Sequence, residues 1–309
     1  HVAGDFNGFN DNAAPMTKVA GSYYLATLSI PAGPNRFLYK FTSGGQWMAD
    51  PLARRFGFDS NGEYSLVSGG SAKGHLERHV DLGGYGLSPR PLTLYLPPGY
   101  ETTTDTYRVL YAHDGQNLFA PNSAYGGWKL DTTTESLIDQ KKIYPIVIVG
   151  IHNTSDRMGE YTPVTDIVGG KTVGGKADAY YELIRGVIMP AIEKQYRVKT
   201  GPNNTYTMGS SLGGLVSLYF GMKHPDVFGK VAGLSSTAGW GSLELHNQTI
   251  IELLPSLNKP NAVFYLDSGG RDGGSPGCTD TDNDGIKDDD PNAEDNYCET
   301  IQLRDVFVA

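Results

Sequence analysis

The chain has 309 residues, 39% hydrophobic and 19% charged, with a formal net charge of -9 at pH 7. No apolar run approaches the roughly 18 residues that a membrane helix needs, and an acidic balance without clustered Lys and Arg argues against a nucleic-acid partner. The length exceeds a typical single domain, so two unequal domains are the economical reading.

From His1 to about Val67 the text is short alternating runs cut by turn residues: "HVAGDFNGFNDNAAPM", "GSYYLATLSIPAG", "RFLYKFTSGGQWMADP", "GEYSLV". Alternation broken by Gly, Asn and Pro predicts that residues 1–70 form a small all-β, immunoglobulin-like sandwich. The opening "HVAGDFNGF" reads as the middle of a strand with its turn, so a leader and some structure are expected to have preceded it. Ser68 to His75, "SGGSAKGH", is small and polar enough for a linker.

Residues 71–309 follow a different grammar. Strand-like runs cover Leu92–Tyr100, Tyr107–Gly115, Tyr144–Asn153, Thr205–Ser210, Lys230–Ser236 and Ala262–Gly270. Between them lie helical texts such as "LDTTTESLIDQKKI" and "ADAYYELIRGVIMPAIEKQY", the second with an apolar face at Leu183, Val187 and Ala191 and a proline that can kink it. Buried strands alternating with amphipathic helices predict an α/β fold, a mostly parallel sheet covered by helices on both faces.

Gly209-Ser210-Ser211-Leu212-Gly213 fits G-x-S-x-G, in which a serine sits on a sharp strand-to-helix turn. The preceding "NNTYTM" suits the strand and the following "LGGLVSLYFGMKHP" the helix, so Ser211 is the predicted nucleophile, with a structural Gly-rich turn as the alternative. A serine hydroxyl needs a base to take its proton, a group to orient that base, and N–H donors where the oxyanion forms. The N–H of Leu212 is expected to be one donor. Gln116, in the loop "YAHDGQNLF", is expected to supply the other, although Asp-Gly also suits a plain turn. Trp128 is expected to line an acyl or sugar pocket, with ordinary packing as its alternative.

Taken together, "LTLYLPPGY", "LYAHDGQNLF", "VGIHNTSDRMGEYTP", "GGKADAYYELIRGVIMPAIEKQY", "MGSSLGGLVSLYFGMKHPDVFGKVAGLSS" and "FYLDSGGRD" resemble the putative-esterase family of α/β-hydrolases. That family includes feruloyl and acetyl esterases of carbohydrate esterase family 1 and enterochelin esterases. The resemblance runs from about Leu82 to Asp272 and implies a catalytic acid in or after "AVFYLDSGG". Asp272 matches the family's acid by position, with Asp267 as the competitor. "VAGDFNGF", "PMTKVAGSYYLATLSIPAG" and "FLYKF" resemble the early-set sandwich of glycogen- and starch-binding modules, with Phe9 where a tryptophan is usual. The order Ser, acid, His then leaves a gap, because all seven histidines precede Asp272. A base beyond Ala309 is the leading expectation; His113 or His152 as an unusual base, and an inert hydrolase domain, are the alternatives. The polypeptide alone is accordingly expected to be crippled, retaining roughly 10³ to 10⁴ over water.

The two cysteines, Cys278 and Cys298, bracket one acidic segment and predict a disulfide worth roughly 3 kcal/mol, which points to an oxidising compartment, secreted or periplasmic. Free buried thiols are the alternative. Inside it, Asp280, Asp282, Asp284, Gly285 and Asp288 follow the D-x-D-x-D-G-x-x-D spacing of a calcium loop, with Ile286 offering its carbonyl and Pro291 at the position where a bidentate Glu is usual. The segment resembles the loops of thrombospondin type 3 repeats and implies a structural Ca²⁺; a solvated acidic loop is the alternative. No cofactor is expected for catalysis. The leading reading is a serine carboxylic ester hydrolase acting on acyl or feruloyl esters linked to polysaccharide. A siderophore esterase and a non-catalytic carbohydrate-binding protein are its rivals.

Overall fold

The computed structural model describes the whole chain except residues 31–35, 69, 71, 125–126, 258–259, 270–277, 281, 288–295 and 309. It divides into two compact units: His1–Val80 with Pro91–Asp105 and Gln116–Ile148, and Asp81–Arg90 with Thr106–Gly115 and Val149–Ala309.

The first unit carries β1 (Val2–Gly4), β2 (Thr17–Ala20), β3 (Tyr23–Leu25), β4 (Phe37–Ser43), β5 (Gln46–Met48), β6 (Arg55–Asp59) and β7 (Gly62–Ser68). It also holds the outer parts of β8 (His75–Gly84) and β9 (Leu87–Leu96), and the helix α1 (Leu130–Asp139). Strands follow in the order β1-β4-β7-β6-β8-β9, with β5 on β4 and β2–β3 as a separate ribbon. Pairing among β1, β4, β5, β6 and β7 is antiparallel, as the short alternating runs require. Phe56, Leu66, Leu76, Leu92, Leu94, Tyr95 and Leu96 make the buried core of this unit.

In the second unit β10 (Arg108–His113), β14 (Thr205–Ser210), β15 (Lys230–Leu234) and β16 (Val263–Asp267) run parallel, in register from Val109↔Thr205 through Tyr206↔Lys230 to Lys230↔Val263. On the other side of β10 lies β11 (Ile146–Ile151). Between β11 and β14 come α2 (Arg157–Glu160), the β12 (Thr165–Val168) and β13 (Lys171–Gly174) hairpin, α3 (Ala177–Leu183), a π turn (Ile184–Ile188) and α4 (Met189–Gln195). The remaining helices are α5 (Leu212–Lys223), α6 (Ile250–Leu253) and α7 (Tyr297–Val308). The chain thus has an α/β fold with a mixed sheet and parallel strands around β14.

The proline expected to kink the long helix is Pro190. Its ring cannot donate to the preceding turn, and the widened π turn just before it absorbs the break. The extra width advances the apolar face. Leu183, Ile184, Ile188 and Ile192 are buried, while Val187 and Ala191, expected on that face, are only half-buried. From Leu212 to Met222 helix α5 is buried on every side, and its Phe220 stacks on Phe228 at 5.9 Å. A helix without a wet face is a core element, so the turn that starts it is held rigidly.

Candidate active site

Ser211 stands between β14 and α5 with φ 57 and ψ -124, a conformation that L-residues rarely hold. Its N–H donates to the Leu234 carbonyl at 2.9 Å, and its own carbonyl accepts the N–H of Leu215 at 2.9 Å, the first bond of α5. The flanking glycines have steric reasons. A Cβ on Gly209 would collide with the Gly213 backbone, and one on Gly213 would lie 3.2 Å from Asp114 Oδ2 and 3.3 Å from His113 Cβ. The G-x-S-x-G pattern thus encodes close backbone approach around the serine. Ser211 is half-buried and its Oγ lies 3.4 Å from Thr237 Oγ1. Leu212 opens α5, so its N–H belongs to the first turn, whose N–H groups have no acceptor within the helix.

Gln116 and Trp128 belong to the first unit. Gln116 lies in the 3-10 turn Gly115–Asn117, and half-buried Trp128 donates its main-chain N–H to the Asn117 carbonyl at 3.1 Å. Asp272 falls outside the described residues. Its competitor Asp267 ends β16 on the exposed side, where its Oδ2 accepts the Tyr265 hydroxyl at 3.1 Å and its carbonyl accepts the N–H of Ser235 at 2.8 Å.

His113, weighed as an unusual base, is a core residue. Its Nδ1 is 3.0 Å from the Tyr180 hydroxyl and its Nε2 is 3.2 Å from Thr207 Oγ1. Burial pushes its pKa down to about 3, so it stays neutral and neither nitrogen is free for Ser211. His152 is half-buried, and burial lowers it to about 4. His224 stacks flat on Tyr181 at 3.5 Å. Among the described residues, the side-chain hydrogen bond recorded for Ser211 Oγ goes to Thr237 and not to an imidazole.

Sequence reasoning overlooked Asp114. This residue follows β10 at φ 57, and Arg157 grips its carboxylate from both nitrogens, Nε to Oδ1 at 2.8 Å and NH2 to Oδ2 at 2.8 Å. Asn153 Nδ2 adds a bond to Oδ1 at 2.6 Å. The signal available was the polar "HDG" at a strand end, in the loop expected to supply an oxyanion donor through Gln116, with a plain turn as the alternative. Asp166 was missed too. Buried in β12, it accepts N–H bonds from Gly241, Leu243, Glu244 and Leu245 at 2.8 to 3.1 Å.

A disulfide joins Cys278 to Cys298. Asp280 accepts the N–H groups of Asp284 at 3.1 Å and Gly285 at 3.0 Å, Asp282 accepts that of Asp284 at 3.2 Å, and Asp284 accepts that of Ile286 at 2.7 Å. Asp284 is also held by the Ser242 hydroxyl, and His246 Nδ1 is 3.6 Å away. Asp288 lies outside the described residues. Asn296 Nδ2 donates to the Ser235 carbonyl at 3.0 Å, tying the segment to the loop that follows β15.

Residues 88–280 match the model of the Esterase family, described as putative esterase. The uncharacterized protein YbbA of Bacillus subtilis is 30% identical over 210 residues, 65% of this chain and 74% of that protein. An IroE-like serine hydrolase from Shewanella oneidensis is similar in structure at 24% identity and a TM-score of 0.46, covering 54% of this chain and 52% of that one. The enterobactin esterase of Shigella flexneri, solved with enterobactin, gives a TM-score of 0.50 at 15% identity over 85% of this chain and 73% of its own. An esterase of the α/β-hydrolase class is what the fold and the family match define. The chain belongs to the putative-esterase family.

Proposed function

We propose that the chain carries the nucleophile of a serine ester hydrolase. Ser211 Oγ attacks the ester carbonyl, the N–H of Leu212 receives the oxyanion, and Asp272 orients the histidine that takes the serine proton. The observation that carries this reading is Ser211 at φ 57 between a parallel strand and a buried helix. His113 is locked in the core by Tyr180 and Thr207 and does not serve as that base. Fluorophosphonate labelling of the natural polypeptide that contains this sequence is the test. Labelling that disappears in Ser211→Ala is expected; labelling elsewhere, or none, would leave only a binding role.

The substrate class we assign is an acyl or feruloyl ester on polysaccharide. In the first unit a cavity of about 510 Å³ is lined by Phe9, Trp47 and Tyr64 together with Lys40, Asp59 and Asn61. Aromatic faces beside hydrogen-bonding groups suit sugar rings. Retention of the protein on insoluble glucan or xylan, lost in Trp47→Ala, tests the sugar-binding part of this reading. A siderophore ester is the second reading, favoured by the likeness to the enterobactin esterase across 85% of this chain. Hydrolysis of feruloyl-oligosaccharide against a cyclic catecholate triester separates the two.

For the acidic segment we propose a structural Ca²⁺ held by Asp280, Asp282, Asp284, the Ile286 carbonyl and Asp288. The proposed donor set is oxygen only, which suits a hard cation, and Asp282 and Asp284 offer carboxylate oxygens within 4.8 Å of each other. Calorimetry on the oxidised protein should show calcium binding that weakens in Asp284→Asn; no heat would end the proposal. Secretion is proposed on the disulfide. No helix among the described residues is long and apolar enough to cross a membrane.

A further inference from the structure

The Asp114 carboxylate lies against the first turn of α5, with Oδ2 3.2 Å from the position of a Cβ on Gly213. Resting on the ester-hydrolase reading, this is the turn whose Leu212 N–H meets the developing oxyanion. A bare carboxylate here would draw on the positive end of α5 and repel that oxyanion. It is not bare. Arg157 matches both of its oxygens at 2.8 Å, Asn153 donates at 2.6 Å, and the guanidinium sits over the Tyr161 ring at 5.2 Å. The hydroxyl of Tyr161 in turn accepts the Asp114 N–H at 3.2 Å, which fixes the chain one residue before Gly115.

We propose that Arg157 is a positioning residue whose task is to cancel the charge of Asp114 beside the oxyanion site, so that the N-terminal field of α5 is left for the substrate. A plain brace and a charge neutraliser predict different patterns. In a brace, removing either partner breaks the same contact and the two losses match. In a neutraliser they do not match. Arg157→Met leaves a lone carboxylate next to the oxyanion, whereas Asp114→Asn leaves none and keeps a residue that tolerates positive φ.

The experiment uses the natural polypeptide that contains this sequence, with p-nitrophenyl acetate as substrate and phenylboronic acid as a probe that forms an anionic tetrahedral adduct on serine. Arg157→Met is expected to lower kcat roughly 10²-fold with little change in KM, and to weaken phenylboronate by a similar factor. Asp114→Asn should lose only a few-fold, and the double variant should regain about tenfold over Arg157→Met. Should Arg157→Met fail to fold, Arg157→Lys keeps the charge without the fork and is expected to retain most of kcat. Equal losses in the two single variants, no recovery in the double, or a collapse of kcat in Arg157→Lys would each overturn the inference while Ser211 still labels. If Ser211 of the unaltered protein does not label, the hydrolase reading falls and takes this inference with it.

Discussion

At the hairpins β2–β3, β4–β5 and β6–β7 the chain reverses through Gly21, Gly44 with Gly45, and Gly62, all at positive φ. The parallel strands β10, β14 and β15 are followed instead by Asp114, Ser211 and Ser235, at φ 57, 57 and 44. Glycine takes that conformation without steric penalty, whereas Asp and Ser hold it only where the surroundings over-determine it. The surroundings do so here. Asp114 is gripped by Arg157 and Asn153, Ser211 is bonded to Leu234 and Leu215, and Ser235 N–H is tied to the Asp267 carbonyl. At these three hairpins glycine removes the strain, whereas at the ends of β10, β14 and β15, the strands that frame the proposed chemistry, Asp and Ser hold it.

The sharpest way to break this comparison is at Ser211 itself. Ser211→Ala should cut ester hydrolysis by roughly 10⁴-fold or more, measured as kcat/KM on p-nitrophenyl acetate. Activity that survives the substitution would mean that the strain at this position serves no chemistry.

Next in size is Asp166, which pins the segment Gly241–Leu245 downstream of the strained Ser235. Burial works against its charge, but the N–H donors outweigh burial and hold its pKa below the ordinary aspartate range. Asp166→Ala should cost about 3 kcal/mol, since the five backbone donors of Ile167, Gly241, Leu243, Glu244 and Leu245 lose their acceptor, measured by urea unfolding at pH 7. The sign follows from the depressed pKa. Its contribution is complete above the unfolded aspartate pKa and fades as pH falls through the folded value.

His113 makes a smaller bookend of the same sign. Its folded pKa is about 3 against an ordinary 6.5, so the unfolded chain binds a proton that the native one refuses. Stability should therefore fall as pH drops below 6.5, by about 2 kcal/mol at pH 5 from this residue. Comparing urea midpoints at the two pH values in His113→Phe and the unaltered protein isolates the term. An unchanged pH dependence would show that the imidazole next to Thr207 and Tyr180 is hydrated in solution.

What the sequence revealed follows the same division. The elbow was legible because its requirements are local: a strand, two glycines that allow backbone contact with α5, and an apolar helix, all within residues 205–223. The strand "TYTMGS" was read to its last residue. Asp114 was legible only as part of the expected oxyanion loop or of a plain turn, because its partners Asn153 and Arg157 lie 39 and 43 residues away and no spacing rule connects them. Asp166 and its acceptor role 75 to 79 residues ahead were hidden for the same reason. The apolar face of the long helix was misplaced at Val187 and Ala191 because a 3.6-residue period cannot foresee a π turn before Pro190. The histidine alternatives stayed open for a different reason: a strand-end imidazole looks the same in sequence whether it faces a cleft or a core, and for His113 the contacts to Tyr180 and Thr207 decide for the core.

The finest test swaps the two kinds of turn. Ser211→Gly should stabilise the fold by about 1 kcal/mol, because glycine relieves the left-handed strain while adding some freedom to the unfolded chain. Gly62→Ala should destabilise by about the same amount, since a methyl there meets nothing within 4 Å and the cost is purely that of φ 88. Because neither substitution creates a clash or a cavity at the hairpin, opposite signs in urea unfolding would isolate backbone strain as the difference between the two regions. Equal signs would mean that the Ser211 conformation is relaxed in solution, and the geometric basis for treating it as a nucleophile would go with it.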